Sequence, residues 1–542
     1  MPQIVLKKAL QAHLQGRLDT AKQLYLQAIK EGAKDPAAHA NLGFILKEQG
    51  ELKEAFNETQ KALSIAPNNA LFLANAGGIL LELYDYQKCI EYSLKALGED
   101  QNMPMALSNL ACAYKEIGNS EMALAAGLKS LQLQPNNPIT LTSLGYIFMS
   151  LNESSKALGA ALDAIKLDPS LSSAYTLKGK ALAAQGNTKE AISAYTQALT
   201  LNKDSGEALL GLSMDIKTAR QATELIKLAD KVDTEQSSIA NKISLYYSYA
   251  NFYHKIKDYK NAELNLCKAH QTKGSVMPSD AEWHCKQIKD YMHIPYIFKN
   301  QNHTKDHSRI FIVGMPRSGS TLLETVLSVN PEIQDLGETK ALGIAIDAWL
   351  NKSGESSSLD VFYKQALNTN QANLAKYTID KQLYNFKLTG YICSSLPKAK
   401  IIHCKRNPLD NILSMLRTQL STGNNYTINA KDCAKVLIQQ EKIMKHFKQA
   451  WRGRIYTFNY DSFVVKPEAT LRPLIEWLDL EWKTSYMHPE QSKRSINTAS
   501  VIQARKPINK ASLSGWKNYQ DLLKPAFDLI IQSKLFNDFD LT

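Results

Sequence analysis

The chain is poor in residues that staple a fold or hold a metal. Its seven cysteines are an odd number, and no two stand at metal-ligand spacing. A zinc ribbon and a disulfide framework are therefore both excluded, and the scattered thiols fit a reducing compartment. His293, His303 and His307 have no Cys or Asp partner at ligand spacing either, so no metal is expected. The start of the chain, Met1-Pro2-Gln3-Ile4-Val5-Leu6-Lys7-Lys8, lacks the basic-then-apolar run of a secretion signal, and no apolar stretch is long enough to span a bilayer. The expectation is a soluble, cytoplasmic protein with no membrane partner. Net charge is +12, yet no basic tract or nucleic-acid motif is present, so nucleic acid is not an expected partner. Two explanations of the charge stay open: a polyanionic nucleotide and an acidic acceptor.

What the chain does have is a period. At 542 residues it is too long for one core, and rows of 34 residues align columns of small side chains over residues 2–205. One column is Ala9, Gly43, Gly77, Ala111, Gly145 and Gly179. A second is Ala21, Ala55, Cys89, Ala123, Ala157 and Ala191, and a third is Ala28, Ala62, Ala96, Ser130, Ala164 and Ala198. Gly16, Gly50, Gly118 and Gly186 recur at a turn position, and Pro67, Pro135 and Pro169 end rows. This is the tetratricopeptide period: two helices per unit approach closely only where side chains are small. Residues 1–205 thus read as six units of an α-solenoid. Residues 206–298 read as divergent helical repeats or a cap, with a helix pair over 244–270. A polar linker is expected at 299–308 and a second domain at 309–542.

The second domain opens on Ile310-Phe311-Ile312-Val313-Gly314-Met315-Pro316-Arg317-Ser318-Gly319-Ser320-Thr321. Four apolar residues read as a buried strand, and a Gly/Pro/Ser turn leads into a helical pattern. Loop amides and first-turn amides then face one point, which makes an anion site. Arg317 can fork onto phosphate or sulfate oxygens there. Taken alone, the run is also compatible with an ordinary Gly-rich turn. A nucleoside-triphosphatase loop would need Lys where Ser320 stands, which argues against a metal-dependent nucleotide kinase. A second strand-like run, Ala399-Lys400-Ile401-Ile402-His403-Cys404-Lys405-Arg406-Asn407-Pro408, ends in a basic turn before a helix carrying Ser414 and Arg417. His403 and Cys404 read as packed residues.

With its cation moved to Arg317, the loop resembles the 5′-phosphosulfate loop of sulfotransferases. It is most similar to that of tyrosylprotein sulfotransferases and of bacterial sulfotransferases bearing tetratricopeptide repeats. The resemblance implies an α/β P-loop-like domain with a parallel sheet and 3′-phosphoadenosine-5′-phosphosulfate as donor, without a metal. It implies that Gly314, Pro316, Arg317, Ser318, Gly319, Ser320 and Thr321 hold the 5′ end, and that Arg406 and Ser414, eight apart, grip the 3′-phosphate. Glu338, in Gly337-Glu338-Thr339-Lys340, falls on the family's catalytic base twenty-one residues after Arg317. Lys381 falls on a Lys that contacts the bridging oxygen, although Leu383 stands where the family usually has Pro.

Thr498-Ala499-Ser500-Val501-Ile502-Gln503-Ala504-Arg505-Lys506-Pro507-Ile508-Asn509 and Ser514-Gly515-Trp516 resemble the family's C-terminal loop. That places Ser500 at the sulfuryl group with Lys506 nearby, and Tyr460 aligns with a donor contact. Gly515 departs from a basic residue in the tyrosylprotein enzymes. The implied activity is sulfuryl transfer to a hydroxyl, with a protein or peptide tyrosine leading. A carbohydrate or small-molecule acceptor and a non-catalytic repeat scaffold are the alternatives. The repeats imply a protein or peptide partner.

Overall fold

The architecture comes from a computed structural model that describes residues 2–232, 234, 237–294, 308–351, 358–367, 375–420, 422–492, 496 and 504–541. The chain divides into two compact units. In the first, helices pair as α1 and α2 (Pro2–Leu14, Leu18–Lys30), α3 and α4 (Pro36–Glu48, Leu52–Ile65), and α5 and α6 (Ala70–Glu82, Tyr86–Glu99). The pairs continue as α7 and α8 (Pro104–Glu116, Ser120–Leu133), α9 and α10 (Pro138–Ser150, Ser154–Leu167), and α11 and α12 (Ser172–Gln185, Thr188–Leu201). Helix starts are chemically marked. Pro36, Pro104 and Pro138 occupy first-turn positions, and Asp35 and Asn137 accept hydrogen bonds from the freed amides that follow.

The small-residue columns are the helix contacts. Every residue of all three columns is buried. A Cβ on Gly43 would lie 2.6 Å from Thr59 Oγ1, and one on Gly179 would lie 2.6 Å from Tyr195 Cε1. The turn column is conformational. Gly16, Gly50, Gly118 and Gly186 have φ between 72° and 88°, and the two rows without Gly still adopt the left-handed form, at Tyr84 (φ 63°) and Asn152 (φ 62°). The turn geometry therefore outlasts the residue that suits it best. α13 (Gly206–Ser213) and α14 (Ala219–Ala229) continue this unit.

The second unit begins within α15 (Ile239–Lys255) and takes in α16 (Tyr259–Gly274) and α17 (Ala281–Met292). By their period, residues 244–270 group with the repeats, and Lys257, between α15 and α16, keeps the left-handed turn (φ 65°). Residues 249–274 nonetheless belong to the unit that holds the sheet. The expected linker at 299–308 lies outside the described residues as far as 307, together with His303 and His307.

The sheet contains β1 (Ser308–Gly314), β2 (Ile333–Asp335), β3 (Tyr377–Asp380), β4 (Lys400–Lys405) and β5 (Ile455–Asn459). Their order is β2-β3-β1-β4-β5 and every pair is parallel. Between them run α18 (Ser320–Leu327), α19 (Ala341–Asn351), α20 (Leu359–Ala366), α21 (Thr389–Ser395), α22 (Pro408–Leu416) and α23 (Ala430–Ala450). α24 (Tyr460–Val465), α25 (Pro467–Trp477) and α26 (Gln520–Ser533) follow. Apolar strands such as Ile310-Phe311-Ile312-Val313 are fully buried, as a parallel sheet covered on both faces requires. Ile310, Ile312, Ile379 and Ile402 share a core with Leu323 and Leu474. Among the described residues, no helix is long and apolar enough to cross a membrane.

Candidate active site

Parallel strands put all their carboxyl ends on one edge, and here each strand end delivers a residue singled out by the sequence. β1 leads to the Gly314–Thr321 loop, β2 to Glu338, β3 to Lys381, β4 to Arg406 and β5 to Tyr460. The chain leaves β1 first toward β3 and β2, then returns to its other side with β4 and β5. A crevice forms at such a reversal in open α/β sheets, and ligands bind there.

The loop is held from outside. Asn411 Nδ2 donates to the Pro316 carbonyl at 2.7 Å, and Arg406 Nη1 donates to the Arg317 carbonyl at 3.1 Å. Arg317 takes the left-handed conformation (φ 67°), as does Gly319 (φ 91°), where a Cβ would lie 2.2 Å from the Tyr460 ring. Arg317 Nε donates to Ser414 Oγ at 3.0 Å. Burial, and then the neighbouring charge of Arg406, push Arg317 down to about 10. Two cations this close favour an anion between or beside them. The loop fits such a ligand in two further ways: among the described residues, Ser318 Oγ and Arg406 Nε are both buried with no hydrogen-bond partner. Ser320 and Thr321 are buried in the first turn of α18.

Arg406 also reaches the C-terminal segment, with Nη2 donating to the Ser512 carbonyl at 2.7 Å and its guanidinium 5.1 Å from the Tyr460 ring centroid. The Tyr460 and Ser512 hydroxyls are 2.8 Å apart. Asp410 accepts from the amides of Ser514 (2.7 Å) and Trp516 (2.9 Å), fastening the segment to α22. A Cβ on Gly515 would lie in ordinary contact with Asp410 Oδ1 (3.7 Å) and Leu413 (3.9 Å).

On the β2–β3 side, the Lys381 amide donates to the Gly337 carbonyl at 3.0 Å, which joins the two loops. Lys381 is 1% exposed, and its ammonium lies 2.5 Å from Glu338 Oε1 and 3.4 Å from Glu324 Oε2. Glu338 is 45% exposed, which leaves it open to an incoming group. Asp380, deeply buried and hydrogen-bonded to Tyr363 at 2.6 Å, is pushed up to about 7 by burial. Leu383 opens a 3₁₀ turn without the family's Pro, the turn being tied by the Gln382 amide to Asp380 Oδ1.

The far side of α22 is closed by the α15–α16 hairpin. His254 Nε2 lies 3.1 Å from Arg417 Nη1, and its Nδ1 lies 2.8 Å from the Tyr519 hydroxyl. His270 Nε2 and Lys273 Nζ, each 2.9 Å away, reach the carbonyls of Leu416 and Leu420 at and beyond the helix end. These polar anchors explain why residues 249–274 belong to the sheet unit. His403 is buried beside Gln440 and Cys404 is buried, in keeping with packed roles.

Arg317, Ser414, Arg406 and Tyr460 are thus linked in one cluster, and Lys381 with Glu338 forms a second on the same edge. Lys506 is exposed in the C-terminal segment, and Ser500 lies outside the described residues. Sequence reasoning missed Glu324, Asp410, Asn411 and Ser512. The signal for Asp410 and Asn411 was their place in the first turn of the helix after Arg406. Glu324 was hidden in an apolar helical pattern, and Ser512 contributes a backbone carbonyl that no motif encodes. Among the described residues, no group of three His, Cys, Asp or Glu side chains could hold a metal ion.

The domain that carries this edge resembles known proteins. Residues 309–484 match the model of the Sulfotransferase family, and residues 36–69, 106–137 and 172–205 match tetratricopeptide repeat models. The chain therefore carries tetratricopeptide repeats followed by a sulfotransferase-family domain. It is 28% identical over 308 residues to an uncharacterized protein of Aquifex aeolicus, covering 51% of this chain and 40% of that one. It is 24% identical over 256 residues to protein-tyrosine sulfotransferase 2 of Gallus gallus, covering 42% of this chain and 66% of the relative. It is 26% identical over 239 residues to protein-tyrosine sulfotransferase 1 of Homo sapiens, covering 39% and 64%. The matches thus span less than two thirds of these relatives. Among solved structures, it is similar to the sulfotransferase domain of a Synechococcus olefin synthase (18% identity, 45% of this chain, all of that one, TM-score 0.33).

Proposed function

We propose that the chain transfers a sulfuryl group from 3′-phosphoadenosine-5′-phosphosulfate to a hydroxyl, with a protein or peptide tyrosine as acceptor. The observation that carries this reading is the placement of an acid–base pair, Lys381 and Glu338, on the same strand edge as the Arg317–Ser414–Arg406 cluster. The Gly314–Thr321 loop, through Pro316, Arg317, Ser318, Gly319 and Ser320, receives the 5′ end of the donor. Arg406 and Ser414 take the 3′-phosphate, Tyr460 lies beside Arg406, and Ser500 and Lys506 complete the donor side.

The donor supplies a sulfur bonded through oxygen to an anionic leaving group. Glu338 accepts the acceptor's proton as its oxygen forms the new S–O bond. The old S–O bond breaks, its electron pair goes to the leaving phosphate oxygen, and Lys381 and Arg317 stabilise the charge gathered there. No step calls for a metal. The protein-tyrosine sulfotransferases among the relatives support the tyrosine acceptor, and the basic balance of the chain suits acidic residues beside it. The solenoid, by the habit of its class, offers a surface for the protein or peptide partner.

The test is Glu338→Ala. Turnover of a tyrosine peptide should fall about a thousandfold, while affinity for adenosine 3′,5′-bisphosphate stays within about threefold. Comparable loss of both would remove Glu338 from the role of base.

A further inference from the structure

Glu324 has no place in the scheme above, yet it is the most deeply buried carboxylate on this edge. It sits on α18, in the second turn after the loop, at 0% exposure with Oε2 3.4 Å from Lys381 Nζ. Lys381, itself 1% exposed, is therefore shared by two carboxylates of opposite character. Glu324 is sealed in, and Glu338 is open to solvent. A charge removed from water needs a compensating partner that stays. Glu338 cannot be that partner throughout, because as the base it becomes a neutral acid at the moment Lys381 is needed.

We infer that Glu324 is a positioning residue for Lys381: it holds the ammonium charged and in place while Glu338 takes the acceptor's proton. The inference rests on the sulfotransferase reading. In the step, the proton moves from the acceptor hydroxyl to Glu338, the acceptor oxygen bonds to sulfur, and the donor's S–O bond releases its electron pair to the bridging oxygen. Before the step two carboxylates face Lys381, and after it one does, Glu324. Because Glu324 lies on the helix that begins at the anion loop, the same helix start that receives the donor also sets the height of the cation. Asp380 and Cys404 are ionisable side chains close by. Asp380 is turned onto Tyr363 and Asn385, and burial keeps the Cys404 thiol neutral.

The experiment is a double-mutant cycle on the full chain with Glu324→Gln and Lys381→Met. It reads cleavage of the phosphosulfate donor with a tyrosine peptide, and with water alone, alongside calorimetric affinity for adenosine 3′,5′-bisphosphate. Glu324→Gln should lower kcat about tenfold or more with bisphosphate affinity within about twofold, and should change kcat less than about twofold in the Lys381→Met background. A similar loss in both backgrounds, an unchanged kcat, or a loss of affinity matching the loss of kcat would overturn the role. If Glu324→Gln alone does not fold, the cycle is read from melting temperature. Restored folding in the Lys381→Met background supports the pairing, and failure in both backgrounds overturns it. Failure of the wild-type chain to bind the bisphosphate would overturn the donor reading and this role with it. Binding by wild type with kcat intact in Glu324→Gln would overturn only the role.

Discussion

In the solenoid, close approach is met by glycine in four rows of the same column. Gly43 meets Thr59, Gly77 meets Ser93, Gly145 meets Leu177 and Gly179 meets Tyr195, each where a Cβ would come within 3 Å of its neighbour. In the sheet unit it falls within one loop, at Gly314 against the Cys404 carbonyl (2.8 Å) and at Gly319 under the Tyr460 ring (2.2 Å), and these contacts shape that loop. A repeat shares its steric requirement among equivalent sites, so each carries stability alone. Under the proposed function, the loop contacts carry ligand geometry instead. Replacement should separate the two.

Gly319→Ala is the sharper break. Its Cβ would fall 2.2 Å from Tyr460 Cδ2 at a φ of 91° that disfavours side chains. Affinity for adenosine 3′,5′-bisphosphate should drop about a hundredfold by titration. Retained affinity would mean that the loop is not the donor cradle. Gly179→Ala, with its Cβ 2.6 Å from the Tyr195 ring, should cost the first unit about 1–3 kcal/mol in denaturant unfolding and leave bisphosphate affinity unchanged within about twofold. A loss of affinity there would break the division of labour.

The α15–α16 hairpin blurs the comparison, having a repeat-like turn but belonging to the unit that holds the sheet, and His254 tests it by pH. Burial, followed by Arg417 and Lys255, brings His254 down to about 3, below its ordinary 6.5, so the folded state keeps it neutral. As pH falls below about 6.5 the unfolded chain takes up the proton first, and stability drains away until about pH 3. Between pH 7 and pH 5 the wild type should lose about 1–2 kcal/mol more than His254→Gln. His270, lowered to about 4, acts in the same direction in both chains. Equal pH slopes in the two proteins would detach His254 from the packing of α22.

The same contrast explains what the sequence could tell. The solenoid was legible because each steric constraint is written six times, so a period exposes it even where Tyr84 and Asn152 replace Gly. The strands β1 and β4 were legible as apolar runs ending in Gly314 and Arg406. The convergence of Arg317 on Ser414 was not readable from spacing, since residues 97 apart in sequence meet only through the sheet order. Resemblance to a family, not periodicity, brought forward Glu338 and Lys381. Glu324 escaped both routes: it stands among Leu323, Val326 and Leu327 on a buried helix, where only three dimensions reveal its cation. The grouping of residues 249–274 escaped as well, because the hairpin keeps the repeat turn at Lys257 while His254, His270 and Lys273 bind it to α22 and the C-terminal segment.

The most direct measurement is calorimetric titration of the whole chain with adenosine 3′,5′-bisphosphate, with ATP and Mg²⁺ as the control, repeated on Arg406→Ala. The account predicts binding of the bisphosphate in preference to ATP, without added metal, and weakening of about tenfold or more in Arg406→Ala. No binding, a preference for ATP with Mg²⁺, or equal affinity in Arg406→Ala would contradict the assignment of this strand edge to the sulfuryl donor.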